Sequence, residues 1–415
     1  MRQRIFTTVF LFVILLSGTN LSGQFDPVKG CIIDSNGECV PNATLSALPF
    51  LRIITDARGG GMGDAGIAAS PDPNSIHYNS SNLAFVKDNS SFSATYTPWL
   101  RELNLNDIYL AYLSGYQKID DLSTFGFGLR FFSLGDITFT DNQGDPIGAG
   151  KPRELEIAAT YARKLTDNFS IGLTGKYLYS NLASGQEIQG NDISSATGFA
   201  ADISMTYRNE VDVTANGGEF ALGVSLSNLG NKVTYTQNEI RDFIPTNLGI
   251  GSSLKMNFDE FNSLTFLLDI NKLLIPTPIP ATIFDENGDI IENPEWNADG
   301  SDYADFREKS LFSGVFGSFT DAPGGFSEEL KEFTISVGAE YWYDDQFAVR
   351  TGYYYENPLK GDRQFLTVGL GLKYNVFGFD LSYLVPTNNR RNPLDNTLRF
   401  SLQFDFASLT KGYDE

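Results

Sequence analysis

The residues with chemical potential are few and mostly isolated. His77 is the only histidine in 415 residues, so Ser/His/Asp catalysis would have to use it. Its surroundings, NSIHYNSS at 74–81, offer serines but no strained strand-to-helix turn to present a nucleophile. GVSLSNLG at 223–230 fails the G-x-S-x-G pattern at its fifth position. A hydrogen-bonded structural histidine is the better reading. Gly61-Met62-Gly63-Asp64-Ala65-Gly66 fits G-x-G-x-x-G. A dinucleotide site also needs a βαβ unit and an acid about twenty residues later, and here the chain runs into the loop SPDPNS. These glycines read as close backbone packing. Asp285, Asn287 and Asp289 resemble calcium ligands but lack the closing glutamate of an EF-hand loop, and Asn287-Gly288 reads as a turn. Carboxylate pairs for acid–base work are available among the strand acids, yet Lys and Arg neighbours explain those acids better. The expectation is a protein that is not an enzyme, with no catalytic, cofactor or metal residues.

The elements that must position these residues are β-strands. Phe (33), Tyr (19) and Gly (40) are abundant and Met (4) is scarce, a β-rich composition. The net charge of −21 argues against nucleic acid, which needs a basic surface. Residues 1–23 read as a secretory signal: Arg2 and Arg4, then the apolar run Ile5–Leu16, then small residues up to Gly23. No later stretch holds 18 apolar residues, so an exported chain of this kind crosses a membrane only as a barrel. For Cys31 and Cys39, in CIIDSNGEC, the leading reading is a disulfide. A lipid-anchor reading of Cys31 is weaker, because Lys29 sits where small or apolar residues are wanted.

From about residue 90 the chain alternates with period two. In TFGFGLRFF (124–132), Phe125, Phe127, Leu129 and Phe131 share one face, with Thr124, Gly126, Gly128 and Arg130 on the other. The pattern recurs to Asp405 in about fourteen segments, and the strand charges Arg130, Glu154, Glu156, Lys176, Asp202, Arg208, Lys255, Asp269, Glu340, Arg350, Lys373, Asp380, Arg399 and Asp405 all fall opposite the apolar face. Soluble sandwich strands run about 5–6 residues. These approach the roughly 9–11 that a tilted strand needs to cross a bilayer. The fold class expected is an antiparallel transmembrane β-barrel of about fourteen strands.

Connections alternate between short turns and long loops, the longest being 272–330, with a small hairpin expected around FDENGDII. Short periplasmic turns and long external loops are the rule in such barrels, which puts both termini in the periplasm. Trp296, Tyr303 and Phe306 make the long loop a candidate partner-binding loop. The barrel is assigned 90–407 and the polar tail 408–415.

Residues 48–89 fit neither period. ALPFLRIITDARGGGMGDAGIAASPDPNSIHYNSSNLAF (47–85), followed by an aromatic-rich barrel, resembles the PorV (LptO) family of the Bacteroidota type IX secretion system, itself similar to the FadL family of fourteen-stranded, plugged barrels. Asn79-Ser80-Ser81-Asn82 departs from the Asn-Pro-Ala of FadL-type chains. The resemblance implies an outer-membrane protein that associates with a SprA/Sov-type translocon barrel. It implies binding of cargo through its C-terminal secretion domain, and delivery to a PorU/PorZ/PorQ-type attachment complex. The alternative is a FadL-like transporter of hydrophobic small molecules. The resemblance also implies that 48–89 is a plug, with Arg52, Asp56, Arg58, Gly59, Gly60, Gly61, Gly63, Asp64 and Gly66 as its motif. The plug is expected in the periplasmic half of the lumen, its charges paired with Arg130, Glu154, Glu340 and Arg399, and 24–47 is expected as a periplasmic segment. Outer-membrane lipid is the medium around the wall.

Overall fold

The computed structural model describes residues 24–26, 31–33, 43–100, 105, 107–140, 145–188, 191–236, 241–277, 282–284, 290–292, 307–322, 326–388 and 396–406. The chain divides into two units, Met1–Pro41 and Asn42–Glu415. In the first, Gln24–Asp26 pairs antiparallel with Cys31–Ile33. The Cys31 side chain and the whole of Cys39 lie outside the described residues, and so does the expected bridge.

The second unit carries fourteen long strands. They are β1 (Ser90–Pro98), β2 (Ile108–Lys118), β3 (Ser123–Leu134), β4 (Arg153–Lys164), β5 (Phe169–Asn181), β6 (Ala196–Val211) and β7 (Gly218–Gly230). The second half adds β8 (Asn247–Asn257), β9 (Asn262–Leu273), β10 (Phe333–Tyr343), β11 (Phe347–Tyr355), β12 (Gln364–Tyr374), β13 (Phe377–Pro386) and β14 (Leu398–Asp405). Each pairs with its sequence neighbour, and β14 returns to β1 with Phe400 opposite Tyr96 and Phe404 opposite Phe92, closing the barrel. All fourteen alternating segments are strands.

The alternation explains the wall. In β5, Ile171, Leu173 and Tyr177 point outward while Ser170, Thr174 and Lys176 are buried. The usual relation of polarity to burial is inverted: Phe199 is 68% exposed and Leu173 59%, whereas Arg130, Arg350 and Arg399 are each 1% exposed. An apolar belt of this extent is stable only against lipid. Among the described residues no helix is long and apolar enough to cross a membrane, so the crossing is made by strands.

Short turns join β2–β3, β4–β5, β6–β7, β8–β9, β10–β11 and β12–β13 at one end, with left-handed residues Asp344, Asp345 and Asn375 supplying hairpin geometry. The long loops lie at the other end. One carries the hairpin Thr282–Phe284 with Ile290–Glu292, at the place expected around FDENGDII.

The plug runs the full height of the barrel rather than filling its short-turn half. At the loop end, Leu48, Phe50 and Leu51 are buried among Ile108, Leu110, Phe132 and Leu178. The chain then forms helix α1 (Ala57–Gly60) and helix α2 (Ser75–Tyr78) before reaching β1 at the turn end. Wall glycines let its backbone touch the strands. A Cβ on Gly352 would fall 2.1 Å from the Gly63 nitrogen, one on Gly338 2.6 Å from the Met62 oxygen, and one on Gly223 2.6 Å from the Ile67 oxygen. Of the strand glycine pairs, Gly126, Gly249, Gly251 and Gly369 face the plug, while Gly128 and Gly371 face wall side chains.

Gly63 combines close approach with a left-handed backbone: its φ is +68°, and a Cβ would sit 2.6 Å from the Tyr353 nitrogen. Gly217, in a turn with φ +73°, has open space around it. G63A should therefore cost about 2–5 kcal/mol and G217A only about 1–2 kcal/mol. Urea unfolding midpoints of the detergent-solubilised barrel test this, and equal losses would show that the wall contact does not matter.

Candidate functional site

The centre of the molecule is the seam between plug and wall. Asp56 adopts an extended conformation and caps α1, accepting the Gly59 N–H at 2.8 Å and the Tyr78 hydroxyl at 2.7 Å. The Ala57 N–H donates to Ser401 Oγ at 2.9 Å, fixing the helix start to β14. The Tyr78 ring covers Gly59 and Gly66, where a Cβ would come within 1.9 Å and 2.5 Å of it.

Arg58 leaves the same helix toward the wall. It makes a two-pronged pair with Glu340 at 2.9 and 2.8 Å, and also reaches Asp72 at 2.8 Å and the Ser70 carbonyl at 2.9 Å. Glu340 accepts from Arg350 at 2.7 Å as well, and Arg350 continues to Asp380 at 2.6 Å. Buried charge is tolerated only when partnered in this way.

Further hydrogen bonds complete the seam. Gly66 and Ile67 donate backbone N–H groups to Asp269 at 2.7 and 2.9 Å, and Gly63 donates to Thr367 Oγ1 at 2.8 Å. Asn79 donates to Thr206 at 2.9 Å and the Ser81 N–H to Ser204 at 3.0 Å. Arg130 donates to the Phe50 carbonyl at 2.9 Å and to His77 Nδ1 at 2.7 Å. Arginine has no acceptor, so this ring nitrogen carries no proton.

The motif residues thus divide. Arg58 meets a wall carboxylate, as expected; Arg52 reaches Glu356 in the β11–β12 loop at 3.4 Å. Gly60 lies under Arg399 and Ser382, and Gly61 against Gly369. Asp56 and Asp64 depart from expectation, since neither forms an ion pair with a wall residue. Asp56 is occupied by capping. Asp64 sits at φ +65° with Oδ1 free of hydrogen bonds. Glu154 bonds Ser180 Oγ rather than the plug. Trp296, Tyr303 and Phe306 lie outside the described residues.

Sequence reasoning passed over Asp72, Tyr78, Asn79 and Ser81. The aperiodic polar run NSSN was their one visible signal, because only a hydroxyl-lined wall gives such residues partners.

The plug leaves two separate voids. One, of about 1010 Å³, opens at the short-turn end; the other, of about 120 Å³, lies beneath the loops and is lined by Arg52, Asp64, His77, Asn228, Asp269 and Arg363 among others. Both are polar.

An apolar outer belt, a charged interior and a lumen closed by the chain's own N-terminal segment define a plugged outer-membrane β-barrel. Residues 38–280, more than half of the chain, match the family described as "Type IX secretion system protein PorV", and the chain belongs to that family. It is accordingly an outer-membrane component of type IX secretion. No curated protein matches the sequence. Solved structures with distant similarity include the Ralstonia pickettii toluene transporter TbuX (TM-score 0.48, 12% identity, 85% of this chain and 99% of that one). The Pseudomonas putida toluene transporter TodX scores 0.46 at 12% identity, over 84% and 97%. A Pseudomonas aeruginosa FadL homologue scores 0.44 at 11% identity, over 85% and 98%.

Glu340 carries two guanidinium groups, so E340Q should destabilise by about 3–5 kcal/mol. R58Q/E340Q should lose less than the sum of its single variants; strict additivity would sink the coupling.

Proposed function

We propose that the protein works without covalent chemistry, as a docking platform of the secretion machinery. On this reading it associates with the translocon barrel, binds the C-terminal secretion signal of exported cargo, and passes the cargo to a cell-surface attachment complex. The observation that carries the reading is the plug that crosses the lumen from one mouth to the other. A plug fastened by a five-residue charge chain and by glycine contacts makes a poor conduit, which leaves the outer wall and the loop mouth as the working surfaces. The void beneath the loops, about 120 Å³, is well below the roughly 300–1,000 Å³ of ordinary ligand pockets. Hydrogen bonds of Ser80, Ser81, Ser204, Thr206 and Asp269 in the seam run to one another, to Asn79 and to backbone, an arrangement of packing rather than of a nucleophile with its base.

The long loop between β9 and β10 supplies a concrete docking candidate, with the long loops facing outward and the short turns in the periplasm. Helix α3 (Leu311–Gly317) seats Gly314 and Val315 inward, and leaves Phe312 and Phe316 62% and 71% exposed one turn apart. Exposed aromatic pairs of this kind mark interaction surfaces. Trp296, Tyr303 and Phe306 of the same loop extend the proposal.

In a deletion strain, surface-anchored cargo should be lost, and the tagged protein should copurify with a large translocon barrel from mild detergent. F312S/F316S should reduce that copurification while leaving barrel yield intact. Normal secretion in the deletion strain, with only fatty acid bound to the purified protein, would establish the transporter reading instead.

A further inference from the structure

The two ends of the plug leave the barrel at opposite mouths. At one end, the Ala47 N–H donates to the Phe243 carbonyl at 2.9 Å, in the long β7–β8 loop. Leu48, Phe50 and Leu51 lie among the loop-side ends of β2, β3 and β5 and the loop residues Val233 and Ile244. Arg52 bonds Glu356, which also holds Arg363, both in the β11–β12 loop. Burial opposes ionisation of Glu356, but Arg363 and then Arg52 outweigh it and keep its pKa below the ordinary value. At the other end, Lys164 lies 5.2 Å over the Phe85 ring at the β4–β5 turn, and the Lys118 N–H donates to the Asn89 carbonyl beside the β2–β3 turn. Ser91 there pairs with Asp405, the last residue of β14.

We infer that the polypeptide enters the barrel from the long-loop mouth, so that residues 43–50 belong to the same face as the long loops. Fourteen strands alone return a chain to the side it started from; the plug adds a fifteenth crossing, so residues 43–47 start from the other mouth. Residues 43–47 therefore do not share a mouth with the end of β14, contrary to the periplasmic placement expected for 24–47. The segment is a further part of the docking surface: Phe243, which anchors Ala47, also lies where a Cβ on Gly314 of α3 would fall, at 2.7 Å. Leu45 is 69% exposed beside it. Only the statement that this mouth faces the outside rests on the function proposed above.

The test is single-cysteine labelling of the full chain in a C31S/C39S background, with a membrane-impermeant maleimide on intact cells. L45C is compared with S184C in the β5–β6 loop and A215C in the β6–β7 turn. The inference expects L45C to label like S184C; labelling like A215C, only after the outer membrane is opened, overturns it. If S184C is protected and A215C reacts, the outward-loop reading fails, and the inference is still decided by which control L45C follows. Heat-modifiable migration on gels verifies folding of each variant, and T44C repeats the measurement should L45C fail to fold.

Discussion

A fourteen-stranded barrel is wider than its own inward side chains can fill, since even eight strands are just filled by them. The remaining space must hold water, a ligand or more protein. In this chain it holds backbone, and nearly every other feature follows. Backbone needs hydrogen-bond partners on all sides, so the lumen wall is rich in Ser and Thr, and Asp269 receives two plug N–H groups. Backbone also needs room, so wall glycines stand opposite Met62, Gly63 and Ile67. Replacing any of these with an ordinary residue would put a side chain where the plug's main chain runs.

The charges serve the same filling problem. The series Asp72, Arg58, Glu340, Arg350, Asp380 alternates in sign, so every interior member has a partner on each side. Losing the carboxylate at its centre takes one partner from each of two arginines, whereas removing an end member takes one partner from a single arginine. The seam is therefore held hardest at Glu340, where plug and wall share one carboxylate. Asp64 has no such pair.

Strand number and the facing of wall charges were legible because lipid outside and polar groups inside impose an unbroken period of two. Arg130, Glu340 and Arg399 could be placed in the lumen from parity alone. The plug was legible only as a break in that period. Its partners were not, because contacts such as Gly63 with Thr367 or Asp56 with Tyr78 depend on how an aperiodic segment folds against a closed surface. Matching opposite charges suggested pairs for Asp56 and Asp64, but α1 needed a cap and the Tyr78 ring took the space. Direction was equally hidden: a segment of about forty residues can traverse the barrel or turn back within it, and composition does not distinguish the two.

Traversal has a consequence for assembly. The β14–β1 pairing closes the wall around a chain already running from the loop mouth to Ser90. Arg58 and Arg52 cannot reach Glu340 and Glu356 until the second half of the barrel exists, while Asn79 and Ser81 bond β6, in the first half. The plug's later portion can therefore settle on β3–β6 as these strands form, and its earlier portion is captured when β10–β14 come round. The ion pairs that fasten the plug to the wall are therefore completed only as the barrel is.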